Sequence, residues 1–64
     1  MHSRKIIRRL KQDGWHHVGT TGDHWHFKHP TKSGKVTIVH PAADLPVKTL
    51  RSIEKAAGIK LGRR

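Results

Sequence analysis

The chain has 64 residues, enough for one small domain, and domains of this size bury only about 60% of the surface their unfolded chains expose. It contains no cysteine, which excludes a disulfide framework and thiolate metal ligation, so stability must come from packing or from a partner. Its 14 Lys and Arg against 4 Asp and Glu give a formal charge of +10, a bias that points to a polyanionic partner such as nucleic acid, an acidic membrane surface or an acidic protein.

A first helix is predicted over residues 3–13. Ser3 reads as its N-cap, and Ile6, Ile7 and Leu10 form one apolar stripe among Arg4, Lys5, Arg8, Arg9 and Lys11. Those cations read equally as a solvated helix face or as phosphate contacts. Gly14 fits a left-handed C-terminal cap. No apolar run approaches the roughly 20 residues of a membrane span. The basic N-terminus has no apolar stretch after it, so it does not read as a signal peptide, and the expected location is cytoplasmic, away from membranes.

Trp15–Gly19 reads as a first strand and Thr20–Gly22 as a turn, with Gly22 supplying a positive φ. A second strand is expected from about His24 to His29, ended by Pro30, which lacks an amide donor. Residues 31–34 form a hairpin connection. The third strand spans Lys35–His40, with Val36, Ile38 and His40 on one face and Lys35, Thr37 and Val39 on the other, and Pro41 stops it. Pro46 marks the start of a last helix, in which Val47, Leu50, Ile53 and Ala57 recur at helical spacing, and Gly58 ends it. Ile59 and Leu61 are placed to pack back on the core, and residues 62–64 read as a basic tail. The order helix, three strands, helix implies an α+β domain spanning 1–64. Its sheet is a three-stranded antiparallel meander with both helices on one face and the other face open.

The run His24-Trp25-His26-Phe27-Lys28-His29 carries the chemistry. Alternation puts Trp25 and Phe27 under the helices and leaves His24, His26 and Lys28 on the open face. Two imidazoles and an ammonium on an exposed sheet suit a phosphodiester, since imidazole can both take and give a proton near neutral pH. A metal site through His24, His26 and His29 is disfavoured, because His29 falls on the opposite face and no cysteine or acid pair completes the ligands. Two readings remain open: inert surface histidines in a non-catalytic RNA- or DNA-binding module, and ribonuclease chemistry in which RNA supplies its own 2′-hydroxyl nucleophile. Asp23 reads as a turn residue, because neighbours in a strand point to opposite faces.

Several pieces, in one order, carry a resemblance. They are Asp13-Gly14-Trp15, the run from Gly22 to Pro30, Val36-Thr37-Ile38 with His40-Pro41, Asp44-Leu45-Pro46, Thr49-Leu50-Arg51-Ser52-Ile53 and Ala57-Gly58. The chain resembles HicA-type toxins of the YcfA-like mRNA interferase family, from type II toxin–antitoxin systems, over about Ser3–Leu61. The resemblance implies a double-stranded-RNA-binding-domain-like fold and an endoribonuclease that cleaves mRNA without a metal or other cofactor. It also implies a HicB-like antitoxin that covers the active site and supplies operator binding, so no specific DNA binding is expected of this chain alone. The family's functional histidine falls on His24 and its glycine on Gly22. Asp23 stands where the family commonly has serine, and Lys48 where it has glycine. His24 is then the catalytic candidate, with Gly22, His26, Lys28, Lys35, Arg4 and Arg8 as the candidate substrate contacts.

Overall fold

A computed structural model describes residues 1–61; the basic tail expected at 62–64 lies outside the described residues. The order is α1 (Ser3–Asp13), β1 (His16–Thr21), β2 (His24–Lys28), β3 (Lys35–Val39) and α2 (Val47–Ala57). The strands form one antiparallel sheet in the order β1-β2-β3, as short connections dictate. The core is Ile6, Ile7 and Leu10 of α1, Leu50, Ile53 and Ala57 of α2, Phe27, Val36 and Ile38 of the sheet, and Trp15, Ile59 and Leu61. Both helices therefore cover the face that carries Phe27, Val36 and Ile38. The expected α-β-β-β-α fold and the open opposite face are both present.

The boundaries differ from the sequence reading in ways that matter. His2, not Ser3, caps α1: its Nδ1 accepts from the Arg4 amide at 3.0 Å. Ser3 is fully buried, because its hydroxyl is taken by the segment after β3. Its Oγ accepts from the Ala42 amide at 2.9 Å and bonds His40 Nδ1 at 2.7 Å. This node fastens the start of α1 to the end of β3, across a cis His40–Pro41 peptide. Val47 was expected on the buried stripe of α2 but is exposed, at the first turn beyond the edge of the core.

Trp15 lies outside the sheet and is buried, so β1 begins one residue later than expected and runs to Thr21. The turn shrinks to Gly22-Asp23, and Gly22 takes φ 60°. Thr21 and His24 close the pair on either side, as in a tight two-residue hairpin. The ladder also breaks register between His17 and Gly19, leaving Val18 as a bulge.

One clasp ties the far ends of the elements together. Lys32, in the β2–β3 connection, donates to the Asp13 carboxylate and to the carbonyls of Ala57 and Gly58. A cation there also meets the negative end of the α2 dipole. His29 completes the clasp. Its Nε2–H donates to the Asp13 carbonyl at 2.8 Å, and its Nδ1 accepts from the amides of Thr31 and Lys32. Its ring packs edge-on against Trp15 at 5.3 Å. Hydrogen bonding from Lys32 holds the Asp13 carboxyl below its ordinary value, against a smaller opposing effect of desolvation.

Two outcomes follow. Gly14 ends α1 at φ 106°, and a Cβ there would meet His29 Nε2 at 2.9 Å. Gly14→Ala should therefore destabilise by about 2 kcal/mol, combining left-handed strain with displacement of the clasp, read as a lower urea midpoint at unchanged slope. Because the Asp13 pKa is depressed in the fold, its contribution is complete above its ordinary value of 3.8 and is lost as pH falls through the lowered value. The stability advantage of the parent over Asp13→Asn, followed by thermal unfolding against pH, should be constant near neutrality and shrink only in that acid range.

Candidate active site

The face of the sheet away from the helices is built from three transverse rows. Register pairs place His16, Lys28 and Lys35 in one row, Gly19, His26 and Thr37 in the next, and Thr21, His24 and Val39 in the last. The bulge at Val18 decides who stands there. Strict alternation back from Thr21 and Gly19 would put His17 on this face. The extra residue turns His17 to the helix side, opposite Phe27, and brings His16 to the open face. His17 then stacks on Trp25 at 4.3 Å and reaches Thr20 Oγ1 at 2.7 Å.

The chain has seven histidines, and most have structural partners. His2 caps α1, His17 bonds Thr20, His29 forms the clasp and His40 bonds Ser3. His40 also lies edge-on to Trp25 at 4.7 Å, on the helix side. His26 has both nitrogens engaged, Nε2 with Thr21 Oγ1 at 3.1 Å and Nδ1 with Thr37 Oγ1 at 3.0 Å. It therefore stitches β1, β2 and β3 together across the open face. Only His16 and His24 have no hydrogen bond to their rings among the described residues.

His24 differs from His16 in having an acid beside it. Its Nε2 lies 3.4 Å from Asp23 Oδ1, with side-chain exposures of 55% and 63%. Alternation had suggested that Asp23 would point away. It does not apply, because Asp23 belongs to the turn and not to the strand. The Asp23 carbonyl meanwhile accepts from the His40 amide at 2.8 Å, which fixes the turn against the end of β3. Gly22, adjacent, leaves open space where a side chain would stand. The corner thus presents an accessible imidazole, a carboxylate able to orient it and an unobstructed approach.

The other expected contacts divide in two. Lys28 and Lys35 share the open face with His24 and are register partners of each other. Arg4 and Arg8 lie on the exposed side of α1, with Lys11, in the helical layer. The structure does not bring them alongside His24, because α1 and the open face are separated by the thickness of the sheet. The three histidines of the disfavoured metal reading do not converge either, since His29 has left the strand for the clasp. No set of three His, Asp or Glu side chains among the described residues is placed to hold a metal ion. No helix among them is long and apolar enough to cross a membrane.

A helix-backed sheet whose bare face carries lysines and two imidazoles without ring hydrogen bonds, one of them beside a carboxylate, defines a class: a small α+β domain with a cationic, solvent-open face. Comparison with known proteins gives that class a family. A family model described as the HicA toxin of bacterial toxin–antitoxin systems matches residues 3–59, and the chain belongs to that family. Among solved structures it is similar to a chain of a "HicA3 and HicB3 toxin-antitoxin complex", at 33% identity and a TM-score of 0.84. The match covers 94% of this chain and 97% of that one. A comparison with curated proteins finds no match.

His24, exposed, and His26, half-buried two residues on, should behave oppositely on substitution. His24→Ala removes no hydrogen bond and should leave the thermal midpoint within a degree or two of the parent. His26→Ala frees two threonine hydroxyls and should cost about 1 kcal/mol, read in the same thermal scan.

Proposed function

We propose that this chain is a metal-independent endoribonuclease that cleaves mRNA, with His24 as general acid and base, and that a HicB-like antitoxin neutralises it. The observation that carries the reading is the state of His24. It is the imidazole on the open face that has no structural bond and has a carboxylate within 3.4 Å.

The chemistry follows from that arrangement. Asp23 facing Nε2 favours the tautomer with the proton on Nε2, which leaves the Nδ1 lone pair free as a base. Nδ1 removes the proton from a ribose 2′-hydroxyl, and the resulting oxygen attacks the adjacent phosphorus. The bond to the 5′-oxygen breaks, that oxygen takes up a proton from the imidazolium, and the products are a cyclic phosphate and a 5′-hydroxyl end. Lysine ammonium groups on the same face supply positive charge that holds the RNA backbone on the sheet, with Lys28 the nearer to His24 along β2. Bond breaking needs no protein nucleophile, because the RNA provides one.

Asp23 in place of the family's usual serine is consistent with this scheme. It orients the ring, at the cost of a negative charge near the approaching phosphate. A partner that covers the open face would be acidic to match a chain of formal charge +10. The similar structure is of a complex with HicB3, and a HicB-like antitoxin is the occupant proposed here.

His24→Ala should fold, and should lose RNA cleavage by a factor of about a hundred or more. Cleavage at the parental rate by a pure His24→Ala preparation would refute the assignment. Asp23→Asn should keep cleavage but lower it several-fold, and Asp23→Ser should restore it. Activity of the parent should survive EDTA. A strict metal requirement would contradict the mechanism, and RNA binding without product would favour the non-catalytic module.

A further inference from the structure

The row at the opposite end of the open face is unusual. Lys28 and Lys35 are direct register partners on neighbouring strands, with His16 on the other side of Lys28. Directly opposed residues of an antiparallel pair hold their Cβ atoms about 5 Å apart, and like charges in that position are destabilising. All three side chains are exposed, and none has a hydrogen-bond or ion-pair partner among the described residues. Lys32, one connection away, shows that the fold can neutralise a lysine when structure demands it. The uncompensated pair has the geometry to grip one anion between two ammonium groups.

Its distance from His24 says which anion. Lys28 lies four residues along β2 from His24, about 13 Å at the rise of a strand. That is longer than the step between successive phosphates of a nucleic-acid strand, so a strand lying along β2 with one phosphate at His24 brings a different phosphate over the lysines. Between the two ends lies the middle row of Gly19, His26 and Thr37. It holds no lysine, arginine or acid, and at Gly19 it is low, with open space where a side chain would project.

Resting on the ribonuclease reading of the same face, we infer that Lys28 and Lys35, flanked by His16, form a distal phosphate subsite. It binds a backbone phosphate at least one whole nucleotide away from the scissile one, with the RNA running along β2. The subsite accounts for an otherwise unfavourable charge pair. It also makes this a ribonuclease for extended single strands and not for dinucleotides, since a dinucleotide reaches only one end of the face.

The test uses the full chain and a single-stranded RNA made uncleavable by 2′-methoxy groups. Affinity is measured for the parent, Lys28→Ala, Lys35→Ala and the double variant. Lys28 and Lys35 are both exposed, so folding is not at stake. Each single variant should bind several-fold more weakly, and the double variant should bind less weakly than the product of the two losses, because both lysines grip one phosphate. The slope of log affinity against log salt should fall by about 0.7 for that lost contact. Additive losses, or unchanged affinity, would overturn the shared subsite.

The position is tested by walking a neutral methylphosphonate along an otherwise cleavable RNA. The parent should be sensitive at a site beyond the scissile phosphate and its immediate neighbour, and the double variant should lose that sensitivity. Loss of sensitivity at the scissile phosphate instead would place the lysines in the reacting centre and defeat the proposal. A parent that cleaves no RNA at all would refute the catalytic reading, while the binding cycle would still decide the subsite.

Discussion

Everything on the open face depends on the burial of Phe27. It is fully enclosed, on the central strand, beside Val36 of β3 and beneath the two helices. A large aromatic ring there fixes which way β2 faces, because a slip of one residue would expose it and bury a lysine or a histidine in its place. Fully burying such a side chain stabilises by roughly 2–3 kcal/mol, a large share of the stability of a domain this small. With Phe27 inward, His24, His26 and Lys28 have no choice but to face outward. The site is thus the reverse side of the core.

A chain with a formal charge of +10 and no cysteine needs its elements tied down without covalent help. Two polar nodes do this at opposite ends. Ser3 links the start of α1 to His40 and Ala42, and the Lys32–His29 clasp links the ends of α1 and α2 to the β2–β3 connection. Both use groups that burial would otherwise leave unsatisfied, the hydroxyl of Ser3 and the terminal carbonyls of two helices. The outcome is a rigid backing for a face that has little packing of its own.

Histidine is used here in two ways. Five of the rings are fasteners, joining turns, strands and helix ends through one or both nitrogens. His24 and His16 are left over, one at each end of the open face. The same residue type therefore supplies both the fasteners and the free rings of the open face, and the difference lies in whether a hydroxyl, carbonyl or amide is within reach. Nothing in local composition separates the two groups.

The sequence by itself determined the order of elements, the side of β2 that is buried and the candidacy of His24. The first two rest on short-range rules: helical spacing in residues 3–13 and 47–57, alternation through residues 24–28, and glycine or proline at the boundaries; His24 is singled out among the exposed histidines by the family resemblance. It could not reveal that Ser3 would be drawn from its cap into a buried bond, that Lys32 would close the far end, or that Val18 would bulge. Each depends on a partner distant in the chain or on an extra residue in the ladder that no local pattern marks. The bulge has the largest consequence, since one inserted residue exchanges His17 for His16 on the open face. Arg4 and Arg8 differ: the sequence already set them on a helix behind the sheet, and the structure keeps them in that layer, away from the open face. Tertiary packing set the geometry of the site because side-chain direction in a sheet is counted from the register, and register is settled only when the strands pair.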